Sequence, residues 1–242
     1  MDLGTLEIVS GTFSIIFVLI SSYVGVRIAK RYFDTNQKEF LFVGIAWIGI
    51  VSPWWPSSVS FLSALITGKG ISDGLYFIIG NAFIIFFMNC WLAAFTELIY
   101  KKLQKVIMIG FSIWNVIFEI FLFYYIFTGQ TSMIGTLNGV LDVRYEGLTM
   151  IFLITIIVIL FSTGIFFGRE SLKSEHKEIK LKGKLLIWAI FLWSVGAALD
   201  SVIPLNLITL PITRIILITS SILFLGGWIL PDWMKKIFLD NK

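Results

Sequence analysis

The sequence predicts an all-α membrane protein, a bundle of seven transmembrane helices with its N-terminus outside and its C-terminus in the cytoplasm. Composition is the first reason: 57% of the 242 residues are hydrophobic and 14% are charged, and the mean hydropathy is +0.91. Soluble domains average about 45–50% apolar and about 25% charged residues. One soluble core of this size cannot bury such an excess of apolar surface. The two other reasons are the apolar segments and the placement of basic residues.

Seven apolar segments are long enough to cross a bilayer as helices. A helix needs about 20 apolar residues to span about 30 Å of hydrocarbon. Backbone polar groups in lipid must be satisfied within the segment, so each one is expected to be helical. We treat residues 1–242 as a single membrane domain with predicted spans at about 7–29, 40–66, 74–100, 106–128, 148–168, 185–204 and 207–230.

Basic residues fix the predicted orientation. With the N-terminus outside, 16 of the 19 lysines and arginines fall in inner segments, and Lys69 and Arg144 fall in outer ones. The remaining one, Arg214, falls inside the seventh predicted span. Cytoplasmic loops of membrane proteins carry an excess of Lys and Arg, so this bias is typical of a multi-pass protein of the cell membrane. The net charge of +4 is explained by these loops and does not indicate nucleic-acid binding.

A weak internal similarity suggests a 3+1+3 parallel repeat. The segment Ile78–Trp91 aligns with Ile215–Trp228 without a gap, and Ile15–Ser22 can be laid on Ile156–Thr163. Spans 1–3 then correspond to spans 5–7, with span 4 as a linker. Parallel repeats occur in some transporters. Chance alignment of apolar helices is the alternative explanation.

Polar, aromatic and helix-breaking residues fall at one depth in five predicted spans. A charge within the bilayer costs at least about 2.5–3.5 kcal/mol on insertion scales, so such residues are the strongest indicators of function. At about 1.5 Å per helical residue, Asp200 and Glu119 lie about 20 Å from the inner side and Arg214 and Asn81 about 10 Å from the outer side. Pro53, Trp54, Trp55 and Pro56 lie at a similar depth in span 2.

We interpret this level as a ligand pocket that opens outward. Ligand sites combine apolar walls with a few convergent polar groups. Pro53 and Pro56 are expected to kink span 2. The alternative is purely structural: interfacial tryptophans anchor many membrane proteins, and Asp200 and Arg214 form an ion pair between spans 6 and 7. The predicted ligand-binding residues are Glu119, Asp200, Arg214, Asn81, Trp54, Trp55 and Asn115.

Charge balance singles out Glu119. If Asp200 offsets Arg214, Glu119 is left without a partner, and an isolated carboxyl in a low dielectric favours its neutral form. The protonated group can bond Asn115, one turn earlier on the same face. Glu119 is therefore either a buried neutral acid between helices or a proton or cation site.

Several polar or small residues have simpler, structural interpretations. Asn89 and Glu97 continue span 3 toward the inner side, and Glu97 is placed to pair with Lys101 at i+4. Gly164 and Gly168 form a GxxxG pattern in span 5, which is typical of close helix packing.

The sequence does not support several kinds of chemistry. Cys90 and His176 are the only cysteine and histidine, so a zinc site with its usual ligands is not expected. No P-loop or dinucleotide-binding motif is present. Residues 205–230 contain no lysine for a retinal Schiff base. We therefore predict no metal, no cofactor and no enzymatic activity.

Two stretches carry a resemblance to known proteins. FTELIYKKLQKVIMIGFSIWNVIFEIFLFYYIFTG (95–129) and GIFFGRESLKSEHKEIKLKGKLLIWAIFLWSVGAALD (164–200) resemble uncharacterised seven-helix archaeal proteins of the Asgard type. The resemblance implies no established activity and no catalytic residue, but it does imply a similarity to membrane input modules of signalling proteins. The architecture is also similar to SWEET-type transporters, although spans 1 and 5 lack prolines and no Pro-Gln motif occurs.

These observations favour a receptor-like sensor that binds a small ligand in the outer half of the bilayer. The charged segments 169–184 and 101–105 are either solvated loops near the lipid surface or docking surfaces for a separate cytosolic signalling partner. The alternative function is a small-solute or cation- or proton-coupled transporter with Glu119 and Asp200 in its path. An intramembrane enzyme is the third possibility, and no catalytic arrangement supports it.

Overall fold

The computed structural model describes residues 3–203 and 206–240, without the side chains of Val202 and Asp240. Seven helices in this part of the chain are long and apolar enough to cross a membrane, which confirms the predicted number. The α-helices are α1 (Thr5–Thr35), α2 (Lys38–Ile50), α3 (Trp55–Thr67), α4 (Asp73–Phe77), α5 (Ile84–Leu98), α6 (Gln104–Phe127), α7 (Gly147–Leu172), α8 (Lys177–Val202), α9 (Thr209–Trp228) and α10 (Asp232–Lys235). Span 2 comprises α2 and α3, and span 3 comprises α4 and α5.

The helices extend beyond the predicted hydrophobic edges, most clearly in span 6. Helix α8 begins at Lys177 rather than near 185, and α7 continues to Leu172. The prediction of a loop at 169–184 is therefore wrong for most of these residues, because only residues 173–176 connect the two helices. Lys, Glu and Leu are good helix formers, so the charged turns stay helical outside the apolar region that hydropathy detects. The predicted end of span 6 at 204 lies outside the described residues.

Span 2 is interrupted where its prolines lie, as predicted. Helix α2 ends at Ile50, a 3₁₀ turn covers Ser52–Trp54, and α3 begins at Trp55. Pro53 and Pro56 have no N–H to donate to a preceding turn, so a regular α-helix cannot continue through them. The irregular turn places Trp54 in the interior, where it is 7% exposed.

Span 3 contains a second irregular turn, which the sequence did not indicate. A π-helical turn covers Ile78–Ala82 between α4 and α5. The amide of Asn81 lies within it and donates to the carbonyl of Phe77 over 3.1 Å. Single π turns in α-helices are frequent at functional sites.

A β-hairpin between α6 and α7 adds strands to the predicted all-α fold. Strands β1 (Gly135–Asn138) and β2 (Asp142–Tyr145) pair antiparallel, with Asn138 opposite Asp142. Gly139, in the connecting loop, has φ of 70°, a conformation that glycine adopts without steric cost. The hairpin lies near the start of α1, since a Cβ on Gly139 would be 3.1 Å from Glu7 Oε1. We call this the hairpin end of the bundle.

The opposite end, which we call the basic end, is tied together by polar contacts. Lys182 Nζ donates to the carbonyl of Trp228 over 3.2 Å, which joins α8 to α9. Lys235 in α10 pairs with Glu178 at the start of α8 over 3.1 Å. Helices α8 and α9 therefore run as a linked pair from the hairpin end to the basic end.

Glycines bring α7 and α8 into close contact in the half of the bundle toward the basic end. A Cβ on Gly164 would lie 2.5 Å from the side chain of Ile190. One on Gly168 would lie 2.3 Å from Ile187 and 3.0 Å from the carbonyl of Gly183. The predicted GxxxG packing of span 5 is thus confirmed, with α8 as its partner.

Stacked aromatic rings fill the core between the hairpin end and the basic end. Trp47 of α2 stacks on Phe224 of α9 with centroids 3.6 Å apart. Trp91 lies against Phe224 and Phe167, at 6.1 and 5.6 Å. Its indole also donates to Thr163 of α7 over 2.7 Å. Spans 2, 3, 5 and 7 are therefore joined by one aromatic cluster.

Candidate functional site

A cavity of about 360 Å³ lies at the hairpin end and is lined by spans 1–3 and 5–7 and by the hairpin. Its volume is within the usual range of small-molecule sites, about 300–1,000 Å³. One wall is apolar and comes mainly from α7, and the facing wall carries polar and aromatic side chains. The polar and aromatic lining consists of Ser10, Trp54, Ser57, Tyr76, Asp142, Tyr145, Trp193, Asp200, Ser201 and Arg214.

Asp200 is the centre of the polar wall. Its Oδ2 accepts hydrogen bonds from the indole Nε1 of Trp54 and from Nη1 of Arg214, each over 2.7 Å. Its Oδ1 accepts from Thr213 over 3.3 Å. Arg214 is 3% exposed and Asp200 13%. A buried charge is tolerated only when it is paired and hydrogen-bonded, and this carboxylate meets both conditions.

Aromatic rings hold the Trp54 indole in place. The ring of Phe17 meets it edge-on at 5.2 Å, and that of Trp193 at 6.3 Å. The guanidinium carbon of Arg214 lies 5.9 Å from the Trp54 ring centroid, a cation–π distance. Two buried N–H donors beside the Trp54 ring have no hydrogen-bond partner among the described residues. They are Nε1 of Trp193 and Nε of Arg214.

The hairpin forms the roof of the cavity and is fastened to spans 2 and 3. Ser60 Oγ donates to the carbonyl of Val140 over 2.6 Å. The hydroxyls of Ser57 and Tyr76 both donate to the carbonyl of Leu141, over 2.8 and 2.7 Å. Leu141 is 4% exposed, so the hairpin tip is buried against the bundle. The roof is thus part of the packed structure.

Asp142 places a second carboxyl at the cavity. Its Oδ1 accepts the backbone N–H of Val143 over 2.9 Å. Burial, together with the nearby charge of Asp200, raises the pKa of Asp142 above the ordinary aspartate value. Burial also raises the pKa of Tyr145 to about 12, so this phenol is neutral at physiological pH. No ion pair to Asp142 is found among the described residues.

The structure brings together part of the predicted set. Asp200, Arg214 and Trp54 meet at the cavity. Asn81 lies behind it: its amide is 3.4 Å from the Tyr145 hydroxyl, and its Oδ1 has no partner among the described residues. Trp55 points elsewhere and packs against Phe87 at 5.8 Å. Trp55 does not line the cavity.

Glu119 and Asn115 lie on α6, outside the cavity lining. The predicted bond between them is absent, since neither side-chain atom of Asn115 has a hydrogen-bond partner among the described residues. Asn115 belongs to the buried face of α6 with Phe118 and Leu122, whereas Glu119 is turned about 40° toward the outer face. The prediction for Glu119 was based on depth along the helix, and depth does not determine which way a side chain faces.

The residues interpreted as structural are found in such roles. Lys101 Nζ pairs with Glu97 Oε1, as predicted. The amide of Asn89 donates to the carbonyl of Ile85 over 3.0 Å.

The hairpin and the residues that fasten it are the main features missed by sequence reasoning. Asn-Gly at 138–139, with alternating apolar residues on both sides, is a strong hairpin signal. That signal would have placed Asp142 and Tyr145 on a folded segment rather than in an outer loop. Ser57 and Tyr76 carry no comparable local signal, because serine and tyrosine are common in membrane helices.

Comparison with protein-family models, with curated proteins and with solved structures gives no match for this chain. The resemblance to Asgard-type and SWEET-type proteins therefore stays a prediction. Within the described residues, no group of three or more His, Cys, Asp or Glu side chains is placed to hold a metal ion.

Proposed function

We propose that the protein is a receptor-like membrane sensor that binds a small ligand in the hairpin-end cavity and signals to a separate cytosolic partner. The observation that carries this proposal is the position of Asp200. Through Trp54 and Arg214 it links the irregular turn of span 2 to α8 and α9 at the cavity wall. A ligand that contacts this group acts on three spans at once.

The proposed orientation places the hairpin end outside and the basic end in the cytoplasm. The excess of Lys and Arg at the basic end supports it. The charged ends of α7 and α8 around residues 169–184, together with 101–105, would then face the cytosol and offer a surface to the partner. Because much of 169–184 is helical, the proposed surface has a fixed shape.

Helices α8 and α9 provide the mechanical link between the two ends. They are joined by Asp200–Arg214 at the cavity and by Lys182 and the Trp228 carbonyl at the basic end. A ligand shifts such a pair only if it binds one arrangement better than another. Displacements of about 1–2 Å at helix interfaces are typical of switching proteins.

A transporter is the second candidate, and a seam of serines favours it. Ser10 lines the cavity, Ser14 lies one turn further along α1, and Ser21 Oγ bonds Ser221 Oγ of α9 over 2.9 Å. Rocking of the two three-helix repeats would be the motion. Against transport, the aromatic cluster around Trp47 and Phe224 occupies the core.

Distance measurements at the basic end test the sensor function. In a Cys90→Ser background, spin labels on Lys102→Cys, in the 3₁₀ turn just before α6, and on Lys177→Cys, the first residue of α8, report how the starts of these two helices are placed in nanodiscs. We expect Asp200→Asn to shift the distance distribution, because it weakens the link at the cavity wall, and Glu119→Gln to leave it unchanged. Identical distributions for the wild type and Asp200→Asn would contradict the proposal.

A flux assay separates the sensor from the transporter. Liposomes that contain the protein and the pH dye pyranine report proton uptake. If the protein is a sensor, liposomes that contain it take up protons at the same rate as liposomes without protein. Protein-dependent uptake would overturn the sensor function in favour of transport, and its loss in Glu119→Gln would assign that residue to the path.

A further inference from the structure

The cavity opens sideways, between α7 and α8. Among its lining residues, those that are exposed lie on these two helices only. Met150, Ile154 and Val158 form a stripe with a spacing of four residues on α7 and are 47%, 48% and 55% exposed. Ala198 and Ser201 are the exposed lining residues of α8. The remaining lining residues, including those of the hairpin roof, are buried or half-buried.

The gap has a local cause in the two helices. Gly164, Gly168 and Gly183 allow α7 and α8 to touch toward the basic end. Toward the hairpin end, α8 presents Ala197, Ala198 and Ser201 to the cavity. Since these side chains are small, they leave open space between the helices.

The depth of the gap places it in the hydrocarbon layer. Ile154 and Val158 follow the start of α7 by seven and eleven residues, which corresponds to about 10 and 16 Å along the helix. The hydrocarbon core is about 30 Å thick, so both positions lie within it. A molecule that enters between these helices comes from lipid and carries an apolar part.

The inner wall favours a positively charged head group. Asp200 is balanced by Arg214 at 2.7 Å, while Asp142 lines the same cavity and has no ion pair among the described residues. The rings of Trp54, Trp193 and Tyr76 line the space beside these carboxyls. Aromatic faces attract ammonium groups, most strongly where water is excluded.

We propose that a single-chain amphiphile with an amine head group fills the cavity from the bilayer, through the gap between α7 and α8. The ammonium group lies near Asp142 and the aromatic rings, and the chain lies along Met150, Ile154 and Val158. This inference rests on the proposed function and specifies its ligand class.

Photolabelling in phosphatidylcholine nanodiscs tests the proposal. The probe is dodecylamine with a diazirine in its chain, and the matched neutral probe is dodecanol with the same group. We expect saturable adducts in segments 150–158 and 193–201 with the amine, and at least about tenfold weaker labelling with the alcohol. Equal labelling by both probes would overturn the choice of a cationic head group.

Two pairs of variants test the gap and the carboxyl. Ile154→Trp fills the gap and is expected to slow labelling about tenfold, whereas Ile113→Trp, on the exposed face of α6, leaves it unchanged. Asp142→Asn is expected to weaken labelling about tenfold, and Asp142→Glu, which keeps the charge, to retain most of it. If Asp142→Asn fails to fold, the comparison of amine with alcohol in the wild type decides the question.

Failure of this inference differs from failure of the proposed function. Entry from water predicts two results. Ile154→Trp would not change cavity labelling, and butylamine added in water would block labelling as well as dodecylamine does. These results would overturn lateral entry and leave the sensor intact. Absence of saturable cavity labelling overturns the ligand class, while the spin-label distances for Asp200→Asn still decide the sensor function.

Discussion

The indole N–H of Trp54 donates a 2.7 Å hydrogen bond to Oδ2 of Asp200, across 146 residues of sequence. The same oxygen accepts from Arg214. Pro53 and Pro56 interrupt the regular helix of span 2 around Trp54: α2 ends at Ile50 and α3 begins at Trp55, so Trp54 lies in an irregular turn. The local irregularity of one span is therefore what connects it to the charged pair of two others.

Trp54→Phe tests the strength of that connection. It keeps the ring and removes the N–H, so we expect a loss of about 1.5–3 kcal/mol in the free energy of unfolding, as for hydrogen bonds to charged groups. Unfolding by sodium dodecyl sulfate in dodecylmaltoside micelles measures it. Trp55→Phe is the matched control, because Nε1 of Trp55 has no partner among the described residues. Equal losses for the two variants would contradict the assigned bond.

The Asp200–Arg214 pair is expected to behave as a coupled unit. Asp200→Asn or Arg214→Met alone leaves a buried charge without its partner, which costs about 3–5 kcal/mol. The double variant removes both charges and is expected to recover at least half of the summed loss. A double-mutant cycle on detergent unfolding gives the coupling energy. Additive losses would mean that the two side chains do not interact.

Gly168→Leu tests the close contact of α7 with α8. A Cβ at this position would lie 2.3 Å from Ile187 and 3.0 Å from the carbonyl of Gly183, so the helices must move apart. We expect a loss of more than about 1–3 kcal/mol, since overpacking against backbone cannot be relieved by a side chain. Gly110→Leu, with nothing within 4 Å of its Cβ, is the control and is expected to be near neutral.

Ser60→Ala is expected to loosen the hairpin roof. The Ser60 hydroxyl donates to the carbonyl of Val140 and accepts from the backbone N–H of Ile71 over 3.2 Å. Loss of these bonds is worth about 1–3 kcal/mol, which corresponds to roughly tenfold or more in local opening. Hydrogen–deuterium exchange of 135–145 measures the change. Ser63→Ala, whose bond to the carbonyl of Lys69 is exposed, should leave the hairpin protected.

The buried carboxyl of Asp142 gives a pH dependence of stability. Because its pKa is raised in the folded protein, mainly by burial with a further contribution from Asp200, the folded state holds this proton more tightly than the unfolded state. Stability from this group is therefore complete below the ordinary value of 3.8 and falls as the pH rises through the raised pKa. The difference between wild type and Asp142→Asn, measured from about pH 4 to pH 8, should follow this fall. Asp73 is an exposed acid at the start of α4, so Asp73→Asn should leave this pH dependence of stability unchanged.

The sequence was sufficient for features that depend on residue type and position along one helix. Apolar length predicts the seven spans, Pro53 and Pro56 predict the break in span 2, and Gly164 predicts close packing of span 5. An Asp200–Arg214 ion pair was the structural alternative to a ligand pocket, because the two residues are opposite in charge and at a similar predicted depth, and the structure contains this pair.

Features that depend on rotation or on packing between distant segments were not predictable. Glu119 lies outside the cavity lining, since the rotation of α6 is set by contacts such as Phe118 stacking on Phe152 at 3.8 Å. The π turn at Ile78–Ala82 has no proline or glycine pair that requires it. The roof depends on hydroxyls of Ser57 and Tyr76 that meet Leu141 only in the folded protein.

The most direct test of the central claim joins the cavity to the basic end in one experiment. Spin labels on Lys102→Cys and Lys177→Cys, in a Cys90→Ser background, are measured in nanodiscs with and without dodecylamine. We expect the amine to shift the distance distribution of the wild type and to leave that of Asp200→Asn unchanged. Equal distributions with and without the amine in the wild type, at concentrations that saturate photolabelling of the cavity, would contradict a sensor function for this site.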